Sequence, residues 1–286
     1  MSTTEESPVF IPADGALDFG GVVRSEWIKF RSVRSTWWAY AILLVVTVGV
    51  GAQVSSSLSF DGMPGVPTQD AIQDMAVYAV TVSTDFGVLV VGVLGVIVIA
   101  GEYGTGMIQS TVTAVPRRLP ILVAKALVVA VATFVVSSVA LAMTVPVSAT
   151  LLAGNGVAVR LDDPQYWIVL LGSVGYLVLV SLIAFSVGAL LRSTAGGTAA
   201  TFGLLLVVPV ATSFLPAWAE NIAILLPSVA GDVLLSYPTE QSWVDLAAPT
   251  AGSAWITEPW QGGLTLIAWV AVLFTAAAVL LRERDA

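Results

Sequence analysis

The chain has 286 residues, of which 57% are hydrophobic and only 10% are charged, and its formal net charge is −8. A soluble domain carries about 25% charged residues, so long apolar runs with so few charges indicate a protein with several membrane spans. The sequence contains neither cysteine nor histidine, which excludes disulfides, thiol chemistry and the usual zinc sites and removes the most common general base.

Two distinct segments precede the first apolar run. Residues 1–15 are polar, acidic and proline-bearing, and we expect them to form a disordered cytoplasmic tail. Residues 16–36 are expected to form an amphipathic helix in the inner headgroup plane, because apolar and basic side chains separate onto two arcs at about 100° per residue. Two roles stay open for this helix: an anchor that sets topology, or contact with a cytoplasmic partner, which Glu26 on the apolar arc favours. The residues expected to contact lipid or that partner are Glu26, Trp27, Lys29, Arg31 and Arg34.

The rest of the chain, 37–286, is predicted to be a six-helix transmembrane domain, since a membrane helix needs about 20 mostly apolar residues. The predicted spans are 37–58, 77–101, 119–145, 166–191, 197–215 and 263–281. The third apolar run continues past Pro146, where we expect the helix to end or kink. Residues 216–262 contain a weaker apolar patch, "NIAILLPSVAGDVLLSY", which is predicted to form short helices at the extracellular interface, with a re-entrant hairpin as the alternative.

The basic residues predict the orientation, because Lys and Arg in short loops stay in the cytoplasm. If both termini are cytoplasmic, ten basic residues lie on the inner side: Arg24, Lys29, Arg31, Arg34, Arg117, Arg118, Lys125, Arg192, Arg282 and Arg284. Arg160 alone falls on the outer side. The sequence therefore predicts an all-α polytopic membrane protein with six transmembrane helices, an N-terminal amphipathic interfacial helix and both termini in the cytoplasm.

The segment 102–118, "EYGTGMIQSTVTAVPRR", gathers charged and turn-forming residues between spans two and three. The helix dipole disfavours a carboxylate at a helix C terminus, so the charge of Glu102 should be compensated by a cation. The candidates for that cation are Arg34, Arg117 and Arg118. On the residues alone, this segment is either a topology-setting loop that packs on its own bundle or a surface for a partner.

The same segment is predicted to contain a short helix along the membrane surface. Gly104 allows the chain to turn, Thr105 can cap the new helix, and Pro116 ends it. The apolar positions of this helix are Met107, Ile108 and Val112.

The order of these residues resembles the permease subunit of type-2 ABC exporters. In that family a Glu at the end of span two precedes Gly-Thr, a short Thr-bearing helix, Pro with basic residues, and a Gly or Ala before a Lys. The matching residues are Glu102, Gly104, Thr105, Thr111, Thr113, Pro116, Arg117, Arg118, Ala124 and Lys125. The stretches "SEWIKFRSVRSTWW" and "LLPSVAGDVL" resemble actinobacterial members, and the resemblance covers nearly the whole chain.

The resemblance implies that the short helix is a coupling helix, which docks in a groove on a separate ATP-binding-cassette ATPase subunit and transmits its closure. The residues implied in coupling are Glu102, Gly104, Thr105, Met107, Ile108, Val112, Pro116, Arg117 and Arg118. The working unit would hold two permease copies, as a homodimer or heterodimer, in a bacterial plasma membrane. The chain lacks a P-loop, since its Gly-rich "GEYGTGM" follows a span and has no Lys, so ATP and Mg²⁺ would bind the ATPase subunit.

No set of catalytic residues and no basic run suited to nucleic acid stands out, so we expect a transport subunit that is not an enzyme and binds no metal or cofactor. Asp85 is the one ionisable residue that we place clearly inside a span. It lines an outer vestibule for a cationic substrate or, as we favour, is hydrated at the interface.

The otherwise apolar spans suit a hydrophobic or amphipathic substrate, such as a drug, peptide or lipid-like molecule. The alternatives are an ATP-independent transporter or channel, and an immunity-type membrane protein.

Overall fold

The computed structural model describes residues 18–59, 68–105, 118–212, 214, 223–238 and 258–283, and these residues form helices and connecting turns without a strand. The predicted tail 1–15, most of the predicted coupling helix and much of the outer segment 216–262 lie outside the described residues.

The described residues form ten α-helices and one π-helical turn. In chain order they are α1 (Phe19–Ser32), α2 (Arg34–Ser57), α3 (Gln69–Thr81), α4 (Ser83–Thr105), α5 (Arg118–Gly154), α6 (Pro164–Leu191), α7 (Thr194–Phe202), a π-helical turn (Gly203–Val207), α8 (Val208–Thr212), α9 (Pro227–Leu234) and α10 (Pro259–Glu283).

Within the described parts of the chain, six helical segments are long and apolar enough to cross a membrane. They are Arg34–Ser57, Gln69–Tyr103, Leu119–Gly154, Pro164–Leu191, Thr194–Thr212 and Pro259–Glu283. For the described residues, the prediction of a helical protein with six helices long and apolar enough to span a membrane is thereby confirmed.

Two helix bounds differ from the predicted ones more than the others do. The second helical segment begins at Gln69 rather than near residue 77, since Thr68 caps it by accepting a hydrogen bond from the Ala71 amide at 3.2 Å. The third predicted span, α5, does not end at Pro146 but continues to Gly154. It is held against α2 on both sides of the proline, by Tyr40–Thr133 and by Ser55–Ser148 hydrogen bonds of 2.9 and 2.6 Å.

The centre of the bundle is the parallel packing of α4 against α6. Gly95 faces the backbone carbonyl of Ser181, and a Cβ on Gly188 would lie 3.1 Å from the Cα of Val96. Such close backbone approach through small residues is a common way of packing membrane helices. The pair α4–α6 therefore forms the tightly fitted centre of the bundle.

The bundle has two chemically different ends. The basic end carries α1, the C termini of α4 and α6, and the N terminus of α5. At the opposite end, Asp163 accepts hydrogen bonds from Tyr237 Oη at 2.6 Å and Gln73 Nε2 at 3.2 Å, and Gln73 Oε1 accepts from the Arg160 amide at 2.9 Å. Burial opposes ionisation of Asp163, but the hydrogen bonds from Tyr237 and Gln73 outweigh it, and its pKa lies below the usual range.

Candidate functional site

Four charged side chains from three helices meet at the basic end: Glu26, Lys29, Glu102 and Lys125, which we call the basic-end cluster. Lys125 Nζ donates to Glu26 Oε2 at 2.5 Å and to Glu102 Oε1 at 2.7 Å. Lys29 Nζ donates to Glu26 Oε1 at 2.8 Å. The cluster therefore ties α1, α4 and α5 together at the flanks of segment 102–118.

Glu26 is buried because it shares a face of α1 with two apolar residues. Val22, Glu26 and Phe30 recur every four residues and are the buried positions of this helix. Val22 packs on Ile121 and Ala124 of α5, which brings the Glu26 carboxylate to Lys125. Burial opposes ionisation of Glu26, but Lys125 and then Lys29 outweigh it, so the pKa of that carboxyl lies below its ordinary value.

The expected contact of Glu26 with lipid or a partner stays a prediction. In the structure Glu26 is 3% exposed and its carboxylate is turned toward Lys125. The physical reason is that a carboxylate on the apolar arc has to be paired once that arc packs on the bundle. The other surface of α1 stays open, and the exposed residues there include Trp27 and Arg31, while Arg34 is exposed at the start of α2.

Lys125 lies about two turns inside α5 and is 4% exposed. Its ammonium supplies positive charge to Glu102, which lies near the end of α4, where the helix dipole disfavours a carboxylate. A buried charge of this kind is costly unless it is paired and hydrogen-bonded. The two carboxylates meet that requirement.

A second contact fixes the end of α4. The guanidinium carbon of Arg192 lies 5.1 Å from the centre of the Tyr103 ring, in a cation–π arrangement. Arg192 follows the last residue of α6 and adopts a left-handed conformation with φ of 52°. The contact joins the end of α4 to the end of α6, so both helices of the central pair are linked beside segment 102–118.

A cavity of about 290 Å³ lies beside the basic-end cluster. Its apolar lining includes Phe30 of α1, Ile97 and Val98 of α4 and Val128 of α5. Thr36 of α2 and all four charged residues of the cluster also line it. The cavity therefore combines an apolar wall with a charged wall, which suits an amphipathic ligand.

The structure describes the predicted coupling residues unequally. Glu102 is fully described; for Gly104, Thr105 and Arg118 only the helical backbone is. Five of them lie outside the described residues: Met107, Ile108, Val112, Pro116 and Arg117.

Asp85 does not belong to the basic-end cluster. It is exposed in the first turn of α4, toward the opposite end, and Asp232 of α9 lies near it. Part of the Asp232 side chain is exposed. Burial of the carboxyl among protein atoms, followed by the nearby charge of Asp85, raises the pKa of Asp232 to about 7.

Sequence reasoning missed the role of Lys125 within this chain. The available signal was its position: a cation seven residues after the start of α5, followed by a long apolar run, is an ionisable group inside a span and so a functional candidate.

Across the described residues, no group of three or more Asp or Glu side chains could hold a metal ion.

Comparison of the chain with protein-family models and with curated proteins gives no match.

Proposed function

We propose that this chain is the membrane-spanning permease subunit of an ATP-binding-cassette exporter, which moves a hydrophobic or amphipathic substrate with ATP hydrolysed on a separate subunit. The observation that carries the proposal is the pairing of Lys125 with Glu26 and Glu102 at 2.5 and 2.7 Å. These pairs flank segment 102–118, the segment that would meet the ATPase.

The basic-end cluster is suited to transmit a push on that segment. Removing one partner of a buried ion pair costs about 3–5 kcal/mol, because the other charge is left unpaired. A displacement of the segment is therefore expected to move α1 and the ends of α4 and α5 together, as one rigid body. The Tyr103–Arg192 contact extends this unit to α6.

The exposed apolar surface of the bundle leaves room for the second permease copy and for lipid. Within the apolar stretch of each segment, only 17% of Thr194–Thr212 and 11% of Pro259–Glu283 is buried inside the protein. In this proposal the basic end faces the cytoplasm of a bacterial cell, both termini lie there, and ATP with Mg²⁺ binds only the ATPase subunit.

If a neighbouring reading frame encodes a P-loop ATPase, co-expression of the two proteins tests the proposal. We expect the two proteins to purify from detergent as a stable complex whose ATPase rate differs from that of the ATPase alone. Transport by proteoliposomes containing only this chain would contradict the proposal.

One observation favours an ATP-independent transporter as the second candidate. Lys125 and its two carboxylates form an ionisable group at membrane depth, and such groups often mark ion pathways in transporters. This candidate predicts uptake into the same proteoliposomes driven by a proton or sodium gradient. The ABC proposal predicts none without the ATPase and ATP.

A further inference from the structure

We propose that the cavity beside the basic-end cluster binds the headgroup of a zwitterionic phospholipid with a primary ammonium, such as phosphatidylethanolamine from the surrounding leaflet. The site lies between α1 and the helices α2, α4 and α5 of a single chain. It therefore requires neither a second copy nor an ATPase, and it does not depend on the transport function proposed above.

The cavity is polar toward the basic end and apolar toward the middle of the bundle. Along α4, Ile97 lies five residues deeper than Glu102, or about 7.5 Å along the helix axis. Along α5, Val128 lies about 4.5 Å deeper than Lys125. This gradient matches a lipid whose headgroup lies beside α1 and whose chains point toward the bilayer centre.

The charges of the cavity favour a ligand of zero net charge. Two carboxylates and two ammonium groups line it, so the cluster is balanced. The Glu26 and Lys125 side chains are only 2% and 6% exposed and bind each other. An anionic or a cationic headgroup would add an unbalanced charge to a site of low dielectric, which is unfavourable.

The accessible charges match the two ends of a zwitterion. The Lys29 side chain is 36% exposed and presents an ammonium donor suited to a lipid phosphate. The Glu102 side chain is 14% exposed and presents a carboxylate acceptor suited to a primary ammonium. A trimethylammonium group has no N–H to donate, so phosphatidylcholine should bind less well.

The size and opening of the cavity fit a headgroup with the start of one chain. Its volume of about 290 Å³ is near the lower limit of ligand pockets, roughly 300 Å³. Ile97 on its wall is 39% exposed, so the cavity reaches the membrane-facing surface of α4. The remaining lipid chains would lie along that surface.

Lipid retention measured by native mass spectrometry tests the proposal. The full chain is purified in detergent with an equimolar mixture of phosphatidylethanolamine, phosphatidylcholine and phosphatidylglycerol. We expect about tenfold preference for phosphatidylethanolamine, which corresponds to one charge-assisted hydrogen bond. Equal retention of the three lipids, no retained lipid, or a preference for phosphatidylglycerol would overturn the proposal.

Two variants with matched controls locate the site. Lys29→Glu reverses the phosphate-facing charge, and its control is Arg31→Glu on the exposed surface of the same helix. Ile97→Trp fills the cavity without changing charge, and its control is Val45→Trp, at a position on α2 that is 66% exposed. We expect both cavity variants to lose the preference and both controls to keep it; a preference that survives Lys29→Glu and Ile97→Trp contradicts the assignment.

Discussion

The Nζ atom of Lys125 lies 2.5 Å from Oε2 of Glu26, across 99 positions of the chain. This ion pair attaches the amphipathic helix α1 to the core of the bundle. Lipid contact alone would leave the direction of such a helix in the headgroup plane undefined, whereas a buried ion pair defines it. The position of α1 is therefore coupled to the start of α5 and, through Glu102, to the end of α4.

Lys125→Met should destabilise the protein strongly. It preserves the shape of the side chain but removes the cation that Glu26 and Glu102 share, and removing one partner of a buried ion pair costs about 3–5 kcal/mol. The measurement is the thermal unfolding midpoint in detergent. The double variant Lys125→Met with Glu26→Gln should recover part of the loss, since one buried charge is also removed. Wild-type stability of the single variant would show that the pair does not hold α1.

Stability should fall in acid in a way that depends on Glu26. Its folded-state pKa lies below the ordinary value of 4.5, so its stabilising contribution is complete above about pH 4.5 and is lost as the pH falls through the lower, folded-state pKa. Melting midpoints of wild type and Glu26→Gln are compared from neutrality to below about pH 4.5. The difference between them should shrink in acid, and a constant difference would argue against an ionised Glu26.

Gly95→Ala should weaken the central helix pair. The added Cβ would collide with the Ser181 carbonyl of α6, and overpacking of this kind costs about 1–3 kcal/mol. Gly49→Ala is the matched control, because nothing lies within 4 Å of a Cβ at that position. Melting midpoints in detergent should drop for the first variant and stay near wild type for the second. Equal effects would mean that α4 and α6 are not in close contact at Gly95.

The spans were predictable because apolar length is a local property of the sequence. The ends were less so: polar residues such as Gln69 and Gln73 begin the second segment, and the burial of Gln73 depends on hydrogen bonds to the distant Arg160 backbone. The continuation of α5 through Pro146 likewise depends on contacts with α2. These features require knowledge of which helices are neighbours.

The candidate site was only partly predictable for the same reason. The unusual place of Glu26 on an apolar arc and the need to compensate Glu102 were both visible in the sequence. Their common partner, Lys125, was not, because 99 and 23 positions separate it from the two carboxylates. The cavity has no local signal at all, since its lining comes from four helices.

Ile108→Asp should uncouple ATP hydrolysis from transport if segment 102–118 docks on an ATPase. A carboxylate in an apolar contact loses solvation without gaining a partner, which weakens docking. Gln109→Asp is the control, as it adds the same charge at an already polar position. Transport and ATPase rates are measured in the assembled complex, and insertion is checked by membrane yield. Unchanged coupling in Ile108→Asp would remove this residue from the coupling surface.

Cysteine cross-linking tests the proposed docking of segment 102–118 most directly, because the chain contains no native cysteine. Ile108→Cys supplies a single thiol in that segment, and Ser57→Cys supplies one at the exposed, opposite end of α2. In the co-purified complex, a thiol-to-amine cross-linker should join Ile108→Cys to the ATPase and leave Ser57→Cys unlinked. An intact complex that cross-links through Ser57→Cys, or fails to cross-link through Ile108→Cys, would contradict the proposed coupling segment.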